Sequence, residues 1–363
     1  MRSVHRWWVA GILAALVPLV VPPSSSADLV DFAALGTKVL GGRFDEVYAG
    51  TFTQAGPLQL VLSRVLLIGG ADGVPHPLVM VVIDVALMLG AMAACRGRAV
   101  REVVVAVLAL LWLIGPMPWT GHPVESIVGV LWAYAIVVDR KGRWPAAALM
   151  LGVSVWIAPV AVLGFPCMLA VSGGSSAAPT GNAVGGGAAA RTGDAVGGIV
   201  RAVRTWVVAG LIAVVGYVPF VVSGRFEMFG HVWPVDPGTL PYLLGLREVT
   251  WATRLGQAVI VAGGCAAVAW LLRGRLVAVA AAPAAAGLLR VVTDPLAFGY
   301  YWLPVAVGSV LLVALLPDDL AIWRKSLVAA AGYVTVMGVA IGHATAGALL
   351  AMAGCLVAAI SNA

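Results

Sequence analysis

Residues 24–59, SSSADLVDFAALGTKVLGGRFDEVYAGTFTQAGPLQ, form the first polar segment after an apolar start. The segment holds four of the 16 acidic residues in a chain of 363, namely Asp28, Asp31, Asp45 and Glu46. Nearly everything after it is apolar enough for lipid. This contrast predicts that the segment carries the chemistry and that the remaining chain is a membrane scaffold presenting it to a lipid-borne substrate.

The composition is that of a membrane protein. Hydrophobic residues make up 61% of the chain, charged residues make up 10%, and the mean hydropathy is +1.01. We therefore expect an all-α, polytopic integral membrane bundle, whose helices form one unit. The net charge of +6 lies largely in short basic clusters between apolar runs. That pattern sets membrane orientation and does not imply a nucleic-acid partner.

The sequence lacks the patterns that indicate a disulfide framework, a zinc site or several common catalytic motifs. The cysteines lie in or beside apolar runs without a CxxC pair, which argues against a disulfide framework or a zinc site; they are Cys95, Cys167, Cys265 and Cys355. No Walker-type loop, GxSxG, HExxH or DFG element is present. The sequence predicts no metal ligands, and a divalent cation held by the loop acids is an option that no ligand spacing requires.

The amino terminus leaves two interpretations open. Residues 1–23 have a basic start and the apolar run WWVAGILAALVPLVV. A cleaved signal peptide with a small-residue site near Ser26-Ala27 has this form, and so does an uncleaved first transmembrane helix. We favour the uncleaved helix. In both cases the amino terminus is cytoplasmic and Ser24 onward is outside.

The outer loop, residues 24–75, is expected to carry short interfacial helices. LVDFAALGTKVL has apolar residues at helical spacing, so it predicts a helix on the membrane surface that ends at Gly41-Gly42. Asp28 falls at the start of this helix, where a carboxylate caps free N–H groups and suits the helix dipole. The run from Pro57 to Gly70 is too short to span easily, so we expect an interfacial or re-entrant helix.

The rest of the chain predicts a total of about ten or eleven transmembrane helices. The segment AAALMLGVSVWIAPVAVLGFPCMLAV is expected to break at Ala158-Pro159 and again at Pro166, as a broken helix or a shallow hairpin. Residues 1–171 then form an amino-terminal half, residues 172–199 a flexible Gly/Ala-rich cytoplasmic linker, and residues 200–363 a carboxy-terminal half. The remaining spans are expected near residues 76–95, 103–118, 126–138, 205–222, 252–272, 276–292, 301–316, 327–342 and 345–360.

With this topology, the polar residues of the outer loops collect on one face. Besides the four acids of residues 24–59, that face would hold His122, Glu125, His231, Asp236, Glu248 and Asp294. Arg254 and Arg290 would lie just inside outer helix ends, where they either hold a lipid phosphate through their guanidinium forks or extend to the interface. His122, in TGHPVE, is either a catalytic or ligand residue or a structural one.

A carboxylate at the membrane surface can act as general base on an acceptor hydroxyl. Nucleotide sugars and ATP are absent outside the cell, so a transfer there needs a preactivated, lipid-linked donor. Polyprenyl-phosphate sugars are therefore a candidate donor class.

One predicted helix is followed by a loop beginning DLVDF, then by LGGRFDEVYAG and a Pro-initiated apolar stretch. This motif layout resembles the GT-C superfamily of membrane glycosyltransferases, and its actinobacterial polyprenyl-phosphate-mannose-dependent branch most. TGHPVESIVGVLWAYAI, DRKGR and AAALMLGVSVWIAPVAVLGFP are also similar to that branch. The likeness covers the first 170 residues or so, and later only the general form and the aromatic YYW before a late span.

The resemblance implies that the acid opening the first outer loop is the catalytic base, which is Asp28, with Asp31 second. Two departures are visible. Gln54-Ala55-Gly56-Pro57 stands where the family usually has Tyr-Pro-Pro, and the Lys often found before the later Pro is replaced by the context Trp156 to Pro159.

The sequence thus predicts a multi-pass enzyme of the cell membrane with an extracytoplasmic active site. It would transfer a sugar, with mannose ahead of arabinose, from a polyprenyl-phosphate carrier to a lipid or cell-envelope glycan. Asp28 and Asp31 are the catalytic candidates, and the substrate-binding candidates are His122, Glu125, His231, Arg254 and Arg290. The rivals are a transporter or lipid flippase, which is disfavoured because acids are expected to avoid mid-helix positions, and a non-catalytic GT-C-like assembly protein.

Overall fold

The computed structural model describes residues 3–21, 27–70, 73–116, 122–171, 188–296 and 298–340. These residues are helical without a strand, and one isolated bridge pairs Pro234 with Glu248. The expected last span at 345–360, the linker residues 172–187, Ser24–Ser26 of the cleavage-site interpretation and Cys355 lie outside the described residues.

The described helices follow one another along the chain with short connections. They are α1 Ser3–Val20, α2 Ala27–Leu40, α3 Pro57–Leu66, α4 Pro77–Ala93, α5 Ala99–Ala109, α6 Glu125–Arg140, α7 Trp144–Ile157, α8 Ala188–Val222, α9 Leu240–Leu243, α10 Trp251–Leu271, α11 Ala278–Thr293, α12 Leu303–Leu315 and α13 Ile322–Ala340. A π-helical turn, Leu110–Ile114, extends α5, and 3-10 helices cover Phe44–Glu46, Pro159–Val171 and Gly299–Trp302.

The first helix is packed into the bundle. Ala10 and Ala14 of α1 are buried in one core cluster with Met88 and Met92 of α4. Arg6 forms an ion pair with the fully buried Glu102 of α5 at 2.8 Å. Small side chains on α1 allow this close approach, so α1 completes the bundle around α4.

The first loop folds as a pair of short helices, as expected. α2 ends where Gly42 adopts φ +72°, and α3 begins at Pro57 in the first-turn position that proline favours. A Cβ on Gly36 would lie 2.2 Å from the Leu60 carbonyl oxygen, so α2 and α3 cross almost in backbone contact. With 10 residues, α3 is about 15 Å long, half the thickness of a bilayer core.

The Pro-rich apolar segment forms a hairpin. α7 ends at Ala158, which is extended, and Pro159–Val171 then returns as a 3-10 helix. Two hydrogen bonds show that this 3-10 helix runs alongside α6. Trp132 Nε1, in the middle of α6, donates to Ala161 O near the start of the 3-10 helix, and Arg140, at the end of α6, donates to Ala170 O near its end. The break at Ala158-Pro159 is therefore confirmed, but the second break at Pro166 is wrong because the 3-10 helix runs through it.

Two further expectations are wrong. α8 begins at Ala188, so residues 188–199 are helical and are not part of a flexible linker. Acids do not all avoid mid-helix positions, since Asp84 lies in the middle of α4 with no exposed surface and no hydrogen-bond partner for either oxygen. Asp84 was not among the predicted residues because the candidate acids were sought in loops.

The basic clusters gather at the end of the bundle opposite the first loop. Arg140 donates to Arg275 O at 2.6 Å, and Arg201 pairs with the buried Asp139. Arg101, in the first turn of α5, donates to the Leu316 carbonyl oxygen, directly after α12. We call this the basic end of the bundle.

Several helices expose apolar faces. α8 carries Val207, Leu211 and Val215 at 57–63% exposure on one side. Two helical stretches, Val196–Val222 and Trp251–Leu271, are long and apolar enough to cross a membrane, and the other apolar helices of the described chain are shorter. The three described cysteines are buried and unpaired.

Candidate active site

Asp28 and His122 form the centre of the site. α2 presents Asp28 in its first turn, and the turn before α6 presents His122. His122 Nε2 lies 3.4 Å from Asp28 Oδ2. The Asp28 side chain is 29% exposed whereas that of His122 is 2% exposed, so the carboxylate is reachable from outside and the imidazole supports it from within.

Aromatic rings fix the orientation of His122. Its ring lies 4.0 Å from that of Tyr300 and 5.6 Å, edge to face, from that of Phe32. Burial raises the pKa of the Tyr300 hydroxyl, and the negative charges of Glu125 and Asp28 raise it further. Tyr300 therefore stays neutral beside the two carboxylates.

Behind this pair lies a buried ionic cluster on α6 and α11. Arg290 approaches Glu125 at 3.8 Å and Asp294 at 3.7 Å, and its guanidinium lies 4.1 Å from the centre of the Tyr301 ring. The charge of Arg290 is thus matched by two carboxylates. Arg290 is therefore coupled to carboxylates within the site, which makes it a weaker candidate for holding a phosphate than its residue type alone suggests.

Arg254, near the start of α10, differs in this respect. Its guanidinium donates to Gln54 Oε1 at 3.3 Å, and no carboxylate of the described chain lies within ion-pair distance. Gln257, three residues on, donates to Asp294 Oδ2 at 3.1 Å. Burial raises the pKa of Asp294, and the charges of Arg290 and, more weakly, Arg254 oppose this shift. Of the two predicted arginines, Arg254 is therefore the less neutralised, since it lies near Asp294 without a direct ion pair to it.

Several polar atoms of the site are buried without a hydrogen-bond partner. They are Gln54 Nε2, Glu125 Oε2, Trp233 Nε1 and Arg290 Nε. Buried polar groups are nearly always satisfied, so each exception calls for a partner such as a ligand or water. Donors and acceptors are both present, which suits a ligand rich in hydroxyl groups.

His231, from the loop between α8 and α10, is connected to Asp28 through rings. Its Nδ1 lies 3.3 Å from Thr51 Oγ1, and its ring lies 4.3 Å from Trp233. Trp233 contacts Phe298, which stacks on Tyr300 at 5.5 Å and 8°. His231 therefore belongs to the same face of the molecule as Asp28, at the far end of a row of aromatic side chains.

The remaining predicted acids lie outside this network. Asp31, one turn after Asp28, is exposed and takes part in no ion pair with the described residues. Glu46 pairs at the surface with Lys38 at 3.2 Å and with Arg43 at 3.7 Å, as a solvated turn does. Asp236 contributes its backbone N–H to Pro295 O, which holds the third loop beside Asp294.

Sequence reasoning missed the residues that connect the predicted ones. Gln54 was noted only as a departure from a family pattern, and Gln257 was not noted. Tyr300 was noted only as part of the aromatic YYW before a late span. The one available signal was the aromatic group FGYYW, which begins four residues after Asp294.

The part of the chain that the structure describes contains no group of three His, Cys, Asp or Glu side chains placed to hold a metal ion. Comparisons with protein-family models, with curated proteins and with solved structures found no match to this chain.

Proposed function

We propose that this chain is a multi-pass membrane protein, with the basic end cytoplasmic and the Asp28 site outside. The exposed apolar faces support this, since soluble proteins rarely expose apolar patches of such size. The gathering of basic clusters at one end supports the orientation. The two membrane-capable helices agree with it, and the shorter helices around them would complete the bundle.

We further propose that it is a glycosyltransferase that uses a polyprenyl-phosphate sugar, with mannose as the first candidate. The observation that carries this is the pairing of Asp28, which is partly exposed, with the buried His122 at 3.4 Å. A carboxylate held in this way beside lipid can accept a proton from an acceptor hydroxyl. The resemblance of the first 170 residues or so to the GT-C layout selects glycosyl transfer among base-catalysed reactions.

In this proposal the residues have the following roles. Asp28 takes the proton of the acceptor hydroxyl while the acceptor oxygen bonds to the anomeric carbon. The bond from that carbon to the phosphate oxygen breaks, and polyprenyl phosphate leaves. Arg254 stabilises the phosphate as its negative charge grows. Arg290 holds Glu125 in place, and Glu125 is positioned to bind a sugar hydroxyl.

Asp28→Asn tests this proposal. In membranes containing the variant, the rate of transfer from a labelled polyprenyl-phosphate sugar should fall at least about a hundredfold, because general-base catalysis contributes about 10²–10⁴-fold to a rate. Asp31→Asn is the matched control, since Asp31 lies one turn along the same helix and lacks the His122 contact. Full activity in Asp28→Asn would disprove the proposal, and equal losses in both variants would remove Asp28 from its special role.

Asp84 favours a second candidate, a proton-coupled transporter or lipid flippase. Ionisable residues inside membrane helices are costly and commonly serve proton relays. If this candidate is right, vesicles containing the protein should take up substrate in response to a pH gradient without forming a glycan, and Asp84→Asn should abolish uptake. Glycan formation that survives Asp84→Asn would exclude it.

A further inference from the structure

A continuous row of aromatic side chains leads away from Asp28. The row begins with Phe32, whose ring centre lies 5.6 Å from that of His122, and His122 lies 4.0 Å from Tyr300. Tyr300 lies 5.5 Å from Phe298, and Phe298 lies 6.4 Å from Trp233. Trp233 lies 4.3 Å from His231. Phe52 closes the row at 5.2 Å from Trp233. We call these residues the aromatic row.

The aromatic row brings together four separate connecting segments. Phe52 belongs to the first loop, His122 to the turn before α6, Trp233 to the loop between α8 and α10, and Phe298 to the turn before α12. A row built from segments so far apart in sequence cannot arise from one amphipathic helix. It starts at the proposed base and runs along the outer surface of the bundle.

The rings are not a closed core. Phe52 is 49% exposed, and Trp233, Phe298, Tyr300 and His231 are all partly exposed. Tyr300 stacks on Phe298 and lies 4.0 Å from His122, so its faces are held by neighbouring rings. Phe298, Trp233 and Phe52 are the rings of the row that remain to contact a ligand. Their spacing is comparable to the length of one pyranose residue, so successive sugars can contact successive rings.

Polar atoms accompany the rings. Trp233 Nε1 and Gln54 Nε2 are buried donors without a partner. Thr51 Oγ1 lies beside His231 and can exchange hydrogen bonds with a ligand hydroxyl. Apolar ring faces flanked by donors match a saccharide, whose C–H face packs on aromatic rings and whose hydroxyls need hydrogen bonds. A lipid alcohol would use the rings and leave the donors unmatched.

We propose that the aromatic row binds a carbohydrate chain, and that the acceptor of the reaction is therefore a glycan of two or more sugars and not a simple lipid alcohol. The terminal sugar would place its hydroxyl at Asp28, and the preceding sugars would lie on Phe298, Trp233 and Phe52. The proposal rests on the proposed function for the identity of the reaction, but saccharide binding can be measured without any transfer.

The test measures binding of linear manno-oligosaccharides to the purified full chain carrying Asp28→Asn, by saturation-transfer NMR and by tryptophan fluorescence. Affinity should rise with length from one sugar to three. Phe298→Ala should weaken binding of the three-sugar probe about tenfold, the loss expected for one stacking contact. Phe52→Ala removes the most exposed ring of the row and serves where Phe298→Ala fails to fold.

Phe229→Ala is the matched control. Phe229 is 48% exposed in the same loop as Trp233 and contacts Phe226 and Trp251, which are outside the row. If the rings only anchor the protein at a membrane interface, Phe229→Ala and Phe52→Ala will have equal effects. That result, or an affinity that does not depend on probe length, would overturn the inference.

The two proposals fail in different ways. If saccharide binding depends on length but no polyprenyl-phosphate sugar supports transfer, the proposal that the aromatic row binds saccharide is retained and the transferase is disproved. Asp28-dependent transfer to a simple lipid alcohol, unaffected by Phe298→Ala and Phe52→Ala, would retain the transferase and disprove the glycan acceptor.

Discussion

Gly56→Ala should detach the first loop from the α7 hairpin. Gly56 lies directly before α3, and its N–H donates to Ile157 O at 2.9 Å. A Cβ at this position would lie 2.2 Å from the Trp156 carbonyl oxygen and 2.4 Å from its carbon. Both atoms belong to the backbone at the turn of the hairpin, so neither can rotate away. Gly56 has φ −72° and ψ 158°, which alanine adopts freely, so the effect is steric.

The magnitude follows from the distance. Contacts between carbon and oxygen need more than about 3 Å, so the loop must retreat by about 1 Å, which also breaks the hydrogen bond to Ile157. Overpacking costs about 1–3 kcal/mol and the lost bond about 1 kcal/mol. The attached loop should therefore lose about 2–4 kcal/mol of stability. This loss raises the ratio of detached to attached loop about 30- to 1,000-fold relative to the parent chain.

Amide hydrogen exchange across residues 50–57, with thermal unfolding in detergent, checks this prediction. Gly50→Ala is the matched control because a Cβ added to Gly50 would meet no atom within 4 Å. Gly56→Ala should exchange faster and also lose transfer activity, because Gln54 would leave Arg254. If both variants exchange alike and unfold within about 0.5 kcal/mol of the parent, the close contact between Gly56 and Trp156 does not exist.

Three further substitutions test the interior. Arg290→Met should destabilise the protein by about 3–5 kcal/mol, because it leaves two buried carboxylates without their cation; an unchanged unfolding temperature would contradict this. Asp84→Val should stabilise it by about 1–3 kcal/mol by removing a buried polar group that has no partner, and a loss of stability would show that Asp84 is satisfied after all. Gly216→Ala should cost about 1–3 kcal/mol, because its Cβ would lie 2.0 Å from Trp156 Nε1, whereas Gly210→Ala in the same helix meets no atom within 4 Å and should not destabilise.

Sequence patterns predicted the local features of the fold. The apolar periodicity of residues 29–40 and the Gly41-Gly42 pair marked α2 and its end, and Ala158-Pro159 marked the hairpin turn. Each of these features depends on neighbouring residues, which a single sequence displays. The low-complexity composition of residues 188–199 did not reveal that they are helical, because alanine favours helix strongly enough to begin α8 at Ala188 despite the glycines.

Contacts between distant residues could not be predicted. Gly56 and Trp156 were noted as separate departures from a family pattern, yet they form one packing unit. The absent side chain of Gly56 makes room for the Trp156 backbone, and the indole of Trp156 lies against Gly216 and donates to Ile212 O at 3.0 Å. The pattern of one sequence contains no sign that positions so far apart along the chain must change together.

For the candidate site, too, the sequence predicted which residues take part but not how they interact. Asp28, His122, Glu125 and Arg290 were all proposed from the sequence, and the structure brings them together. The neutralisation of Arg290 by two carboxylates was not foreseen, because residue type reveals a charge but not its partners. Arg254 was predicted with the same role as Arg290, and only the three-dimensional arrangement separates them.

The largest core cluster contains residues from both sides of residues 172–187: Trp132, Leu151 and Phe165 come before this segment, and Ala209, Val261 and Ala282 come after it. At the basic end, Arg140 joins the two parts directly through Arg275 O. Covalent continuity through residues 172–187 is therefore not what holds them together. Two separately translated polypeptides, ending and starting within this segment, should therefore associate and reconstitute the whole protein.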